Sequence, residues 1–160
     1  MEYNFLAILV AAFVPLVIGF IWYHPKTFGN AWMRESGVTA ESLKGGNMAV
    51  IFGLTFLFSF LFAFALQFLT NHQTGALGMI GGDASKALPS YNAFMSDYGM
   101  AFRTFKHGAL HGFIAGVLLL FPVMAINALF ERKSWKYIWI NSGFWLLCAI
   151  LMGGIVCGWV

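Results

Sequence analysis

The chain has 160 residues, of which 60% are hydrophobic and only 9% charged, with a formal net charge of +3. Soluble domains carry about a quarter charged residues, so this composition excludes an ordinary soluble fold and indicates an integral membrane protein forming one domain over residues 1–160. The nine Lys and Arg residues are scattered through connecting segments, which argues against a nucleic-acid surface and makes membrane lipid the expected surroundings.

Apolar runs of about twenty residues match a hydrocarbon core of roughly 30 Å, and four such runs predict an all-α transmembrane four-helix bundle. The first runs from about Tyr3 to Tyr23. No Lys or Arg precedes it and no small-residue cleavage pattern follows, so it is expected to be retained and not removed as a signal. Pro15 lies inside it, Trp22 and Tyr23 suit the headgroup level, and Pro25 ends it. The connection over 26–46 sets Phe28, Trp32 and Met33 among Lys26, Asn30 and Arg34, a pattern for a segment lying in the interface. Thr39 followed by Glu41 starts a further helical turn, and Gly45-Gly46 ends it.

The second span, about Met48 to Leu69, places Phe52, Phe56, Phe58, Phe60, Phe62, Phe64 and Phe68 all round the helix, which favours apolar contact over a polar channel lining. From Thr70 to Met100 the chain turns glycine-rich and polar, so 70–100 reads as an external loop and lid, with Ala84–Leu88 and Tyr91–Tyr98 as possible short helices. The third span covers about 105–130. A basic turn, Glu131 to Lys136, leads to the fourth over 137–160. Lys26, Arg34, Lys44, Arg132, Lys133 and Lys136 lie in loops one and three, against Lys86, Arg103 and Lys106 on the other side. The positive-inside rule therefore puts loops one and three in the cytoplasm, and the termini and middle loop outside.

The third span opens with Arg103, His107 and His111 at four-residue spacing. Residues four apart share a helical face, so both histidines can reach one transition-metal ion at about 2.0–2.1 Å, with His24, His72, Asp83 or Asp97 completing the shell. The competing reading is of interfacial polar side chains that serve no ligand. Arg103 is the expected contact for an anionic small molecule. Gly108 stands where a zinc protease would carry its catalytic Glu, so that hydrolase has no base here.

Gly108, Gly112 and Gly116 repeat at small-xxx-small spacing, as do Gly154 and Gly158, giving spans three and four flat grooves for close helix packing with each other or with a second subunit. A homo-oligomer is the expectation from two such faces. Asn127 and Asn141 are placed to bond across the same helix pair. Cys148 and Cys157 are nine residues apart on one helix, too far to bridge, and read as packing residues. No Asp or Glu occurs within any span, which argues against a carboxylate-coupled pump. Phosphate-binding loops, nucleophile elbows and paired carboxylates are absent as well.

The stretch Ile21-Trp-Tyr-His-Pro-Lys-Thr-Phe-Gly-Asn-Ala-Trp-Met33, followed by Gly37-Val-Thr-Ala-Glu-Ser-Leu43, resembles the opening signature of the DUF1761 family. Asn127-Ala-Leu-Phe-Glu-Arg-Lys-Ser-Trp-Lys-Tyr-Ile-Trp-Ile-Asn-Ser-Gly-Phe-Trp145 is similar to that family's final hairpin. The resemblance implies a small four-helix protein of the bacterial inner membrane, and carries over no catalytic residue or cofactor. Three functions follow as expectations. The first is binding or transport of a small molecule at Arg103, His107 and His111. The second is an accessory subunit packed on another membrane protein, and the third a metal-dependent membrane enzyme.

Overall fold

Helices account for every regular element in the computed structural model, which describes residues 4–160. Tyr3, where the first span is expected to begin, lies outside the described residues. The order is α1 (Phe5–Trp22), α2 (Gly29–Ser36), α3 (Ala40–Lys44), α4 (Met48–Thr70), α5 (His72–Met79), a 3₁₀ turn (Ala84–Lys86), α6 (Pro89–Tyr98), α7 (Phe105–Ala115), a π-helical stretch (Gly116–Leu120), α8 (Phe121–Phe130) and α9 (Trp135–Gly158). Four stretches are long and apolar enough to cross a membrane: Phe5–Trp22, Met48–Thr70, Phe105–Phe130 and Trp135–Gly158. The expected all-α, four-span bundle is thus the observed architecture.

Each long helix begins on a side-chain cap. Asn4, Asn47, Thr104 and Ser134 accept hydrogen bonds from the backbone N–H groups of Ala7, Val50, His107 and Tyr137, satisfying donors that have no partner within the helix. The π-helical stretch precedes Pro122, which lacks the N–H that an α-helix would direct at Leu118, and the wider turn absorbs that loss.

The spans run alternately up and down, and α9 lies at the centre. Its inward residues Phe144, Cys148, Met152 and Val156 form one apolar core with Ile8 and Ala11 of α1, Ala63 and Leu66 of α4, and Ala115 of α7. Both cysteines are free and buried in this helix, Cys148 as an apolar side chain of the core. On α4, Phe52, Phe58 and Phe68 face outward, as lipid contact requires.

The glycine stripes close on each other. A Cβ at Gly108 would collide with the Gly153 carbonyl and Cys157, one at Gly112 with the Ala149 carbonyl, and one at Gly158 with the backbone of Phe105. Gly154 lies against Phe105 and Ala109. Spans three and four therefore face one another inside the chain. The two asparagines share a cavity of about 200 Å³ between α8 and α9. No hydrogen bond joins them among the described residues, and Asn141 instead accepts from the Tyr23 hydroxyl of α1 at 3.1 Å.

Loops one and three meet at one end of the bundle. Ser134 donates to Glu35 Oε2 at 2.6 Å, and Lys133 donates to the Ser36 carbonyl at 2.8 Å. At the other end Asn4 Nδ2 donates to the Trp159 carbonyl, joining the start of α1 to the end of α9. The middle segment is more ordered than its glycines suggest. Gly75 and Gly78 lie within α5 with open space around them, and the chain turns after that helix at Gly81 and Gly82, whose φ angles are +73° and +81°.

Candidate functional site

Three histidines converge where α4 gives way to α5 and α7 begins. Thr104 caps α7 and so sets the direction of its first turns, placing His107 and His111 one above the other with ring centroids 4.5 Å apart. The third, His72, opens α5 directly after the extended residue Asn71. Its ring stands 4.9 Å from that of His107 and 5.0 Å from that of His111. The Nε2 atoms of His72 and His107 approach to 2.9 Å, a hydrogen bond in which one neutral ring donates its N–H to the other.

One ligating nitrogen from each of the three rings lies within 4.8 Å of the other two. Tetrahedral zinc with bonds of about 2.0–2.1 Å holds its ligand atoms roughly 3.4 Å apart, so small side-chain rotations bring all three onto one ion. The donor set is imidazole alone, which suits zinc, copper or nickel and leaves a fourth position for an outside ligand. His107 and His111 are partly buried and His72 is exposed, so the site opens outward.

Surrounding residues hold this geometry. Gln73, beside His72 and 4% exposed, donates through Nε2 to the carbonyls of Tyr98 at 3.0 Å and Ala101 at 2.8 Å, tying α5 to the chain that leads into α7. Cys157 Sγ reaches the carbonyls of Thr70 and Phe102, each at 3.5 Å, and so links the end of α9 to both flanks of the site. Phe102 adopts a left-handed backbone with φ of +62°, a conformation that costs a bulky residue of order 1–3 kcal/mol. That conformation brings its ring to 5.1 Å from His107 and 6.0 Å from His72. Between α5 and α6 lies a cavity of about 240 Å³ with His72, Gln73, Phe94 and Phe102 among its walls.

The other expected participants lie elsewhere. Arg103 Nε donates to the Cys157 carbonyl at 3.0 Å, where its charge meets the negative end of the α9 dipole. Asp83 pairs with Lys86, and hydrogen bonds from Ser85 and then Lys86 hold its carboxyl below the usual carboxylate range. His24 follows α1 at the opposite end of the bundle. Among the described residues neither Asp83, Asp97 nor His24 joins the three-histidine group. Gln73 and Phe102 escaped sequence reasoning, because one was an amide in an apparent loop and the other one phenylalanine among many.

No curated protein and no solved structure matches the chain. A family model, described as protein of unknown function (DUF1761), matches residues 6–157, and by that match the chain belongs to this family.

Proposed function

We propose that this membrane protein binds a divalent late-transition-metal ion, of the zinc, copper or nickel kind, at His72, His107 and His111. The observation that supports this reading is the convergence of three imidazole nitrogens from two separate helices within 4.8 Å. Three neutral imidazoles on one surface offer nitrogen lone pairs that a single ion could take together. Strain at Phe102 and the buried anchor at Gln73 both serve to place the rings.

Binding at the surface fits better than passage through the bundle. His107 and His111 are the third and seventh residues of α7, only about 3 and 9 Å beyond its start at 1.5 Å per residue. Transport sites lie near the midplane, and here the middle of the bundle is filled by the apolar core around Ala63, Ala115 and Cys148. An ion with an open fourth position, next to the cavity beside His72, is also the arrangement a metal-dependent enzyme would use.

The basic loops one and three support an orientation with those loops in the cytoplasm and the histidine end outside, in a bacterial inner membrane. A homo-oligomer, or a complex with another membrane protein, would use the lipid-facing side chains of α4, since the glycine grooves are filled within the chain.

Titration of the detergent-purified protein with Zn²⁺, Cu²⁺ and Ni²⁺, read by calorimetry and elemental analysis, tests the proposal. One ion per chain is expected, lost in His111→Ala and in His72→Ala at unchanged helicity. Wild-type protein that takes up none of the three would refute it.

A further inference from the structure

A second site lies at the opposite end, between α1 and α4. The buried residues of α1 end at Pro15 and those of α4 begin at Ser59, with the Phe13 and Phe56 rings 4.7 Å apart at the edge of the contact. Past those points they separate. The gap is a cleft of about 920 Å³, walled by Pro15, Gly19 and Phe20 on one side and Phe52 and Thr55 on the other, with Phe144 among the α9 residues at its floor. That volume is at the upper end of the range for small-molecule sites. From Pro15 to Tyr23 the cleft follows α1 for roughly 12 Å, close to the depth of one leaflet of a core about 30 Å thick.

Its chemistry divides by depth. Within the cleft the Thr55 hydroxyl is spent on the Ile51 carbonyl at 2.7 Å and the Tyr23 hydroxyl on Asn141, so the walls ask for hydrocarbon. At the mouth, His24 Nδ1 accepts the Lys26 backbone N–H at 3.1 Å, which leaves the ring hydrogen of the neutral imidazole on Nε2, as a donor. Lys26 is exposed and pairs with no carboxylate among the described residues, whose ion pairs are Lys86 with Asp83 and Lys136 with Glu35. An apolar slot one leaflet deep, ending at a histidine N–H with the exposed Lys26 two residues further along the chain, has the complement of an anionic phospholipid.

We propose that the cleft between α1 and α4 holds one anionic phospholipid, with an acyl chain between Gly19 and Phe52 and its phosphate at His24 and Lys26. The site is independent of the histidine cluster.

The test uses full-length protein reconstituted in phosphatidylcholine vesicles with and without phosphatidylglycerol, then extracted in mild detergent for native mass spectrometry. Wild type should retain one phosphatidylglycerol per chain and at least tenfold less phosphatidylcholine. Gly19→Leu should retain none and unfold at the wild-type temperature, because a Cβ there meets only the Phe144 ring, at 3.8 Å. Thr55→Leu fills the facing wall, and serves as the second variant if Gly19→Leu proves unstable. The double variant His24→Ala, Lys26→Ala should keep a lipid but lose the preference. Bare wild-type protein, equal retention of both lipids, a lipid-free dimer, or full retention in a folded cleft-filled variant would each overturn the proposal.

Discussion

The α7–α9 seam and the α1–α4 contact are both antiparallel helix pairs, yet they are built on different principles. Along α7 and α9, glycines at four-residue spacing let backbone meet backbone, so that the Gly108 and Gly112 positions have no room for a single methyl group. Along α1 and α4, Ile8, Ala11, Ala63 and Leu66 pack one half, and beyond Pro15 a cleft opens between the helices. Without a solvent-driven hydrophobic force between helices in lipid, close packing holds a membrane pair together, and a pair that forgoes it along half its length keeps space for a ligand. The glycine seam is therefore the frame of the molecule, and the splayed pair is its adaptable part. The histidine cluster bridges the two, because His107 and His111 ride on the seam while His72 follows the end of α4.

Breaking the seam should have the largest effect. Gly112→Leu forces a side chain into the Ala149 carbonyl, and is expected to cost at least about 3 kcal/mol, lowering the unfolding temperature in detergent by roughly 10 °C. Next comes the bridge. Zn²⁺ at a hundredfold excess over its Kd should stabilise wild type by about 2.7 kcal/mol, and this gain should vanish in His111→Ala, as read by thermal unfolding with and without metal. Thr104→Ala removes the cap that aims α7, with an expected loss of about 1 kcal/mol and a severalfold weaker zinc affinity by calorimetry. At the splayed end, Glu35→Ala releases the exposed clamp to Ser134 and Lys136 and should cost under about 1 kcal/mol. Gly19→Leu should change stability by less than about 0.5 kcal/mol, the sharpest contrast with the same substitution at Gly112. If the two leucine variants unfold alike, the distinction between frame and cleft is wrong.

Four spans and their limits to within a few residues were legible in the amino-acid order. Each follows from a local quantity, a run of apolar side chains long enough for the bilayer, and Pro25 closes the first. His107 and His111 were legible as a pair for the same reason, since four-residue spacing on one helix fixes their faces. α5 was not, because Gly75 and Gly78 signal a loop, whereas the Gln73 amide ties that segment to Tyr98 and Ala101, which are distant in sequence.

The sequence alone therefore determined that this is a four-span membrane bundle with two stacked histidines and two glycine stripes. Only the tertiary structure decided that the stripes face each other, that His72 among four candidate partners completes the cluster, that Arg103 caps α9, and that α1 and α4 part beyond Pro15. Periodicity along one helix specifies which side chains share a face. Which face meets which neighbour is set by the packing of all four helices at once, and no local signal encodes it.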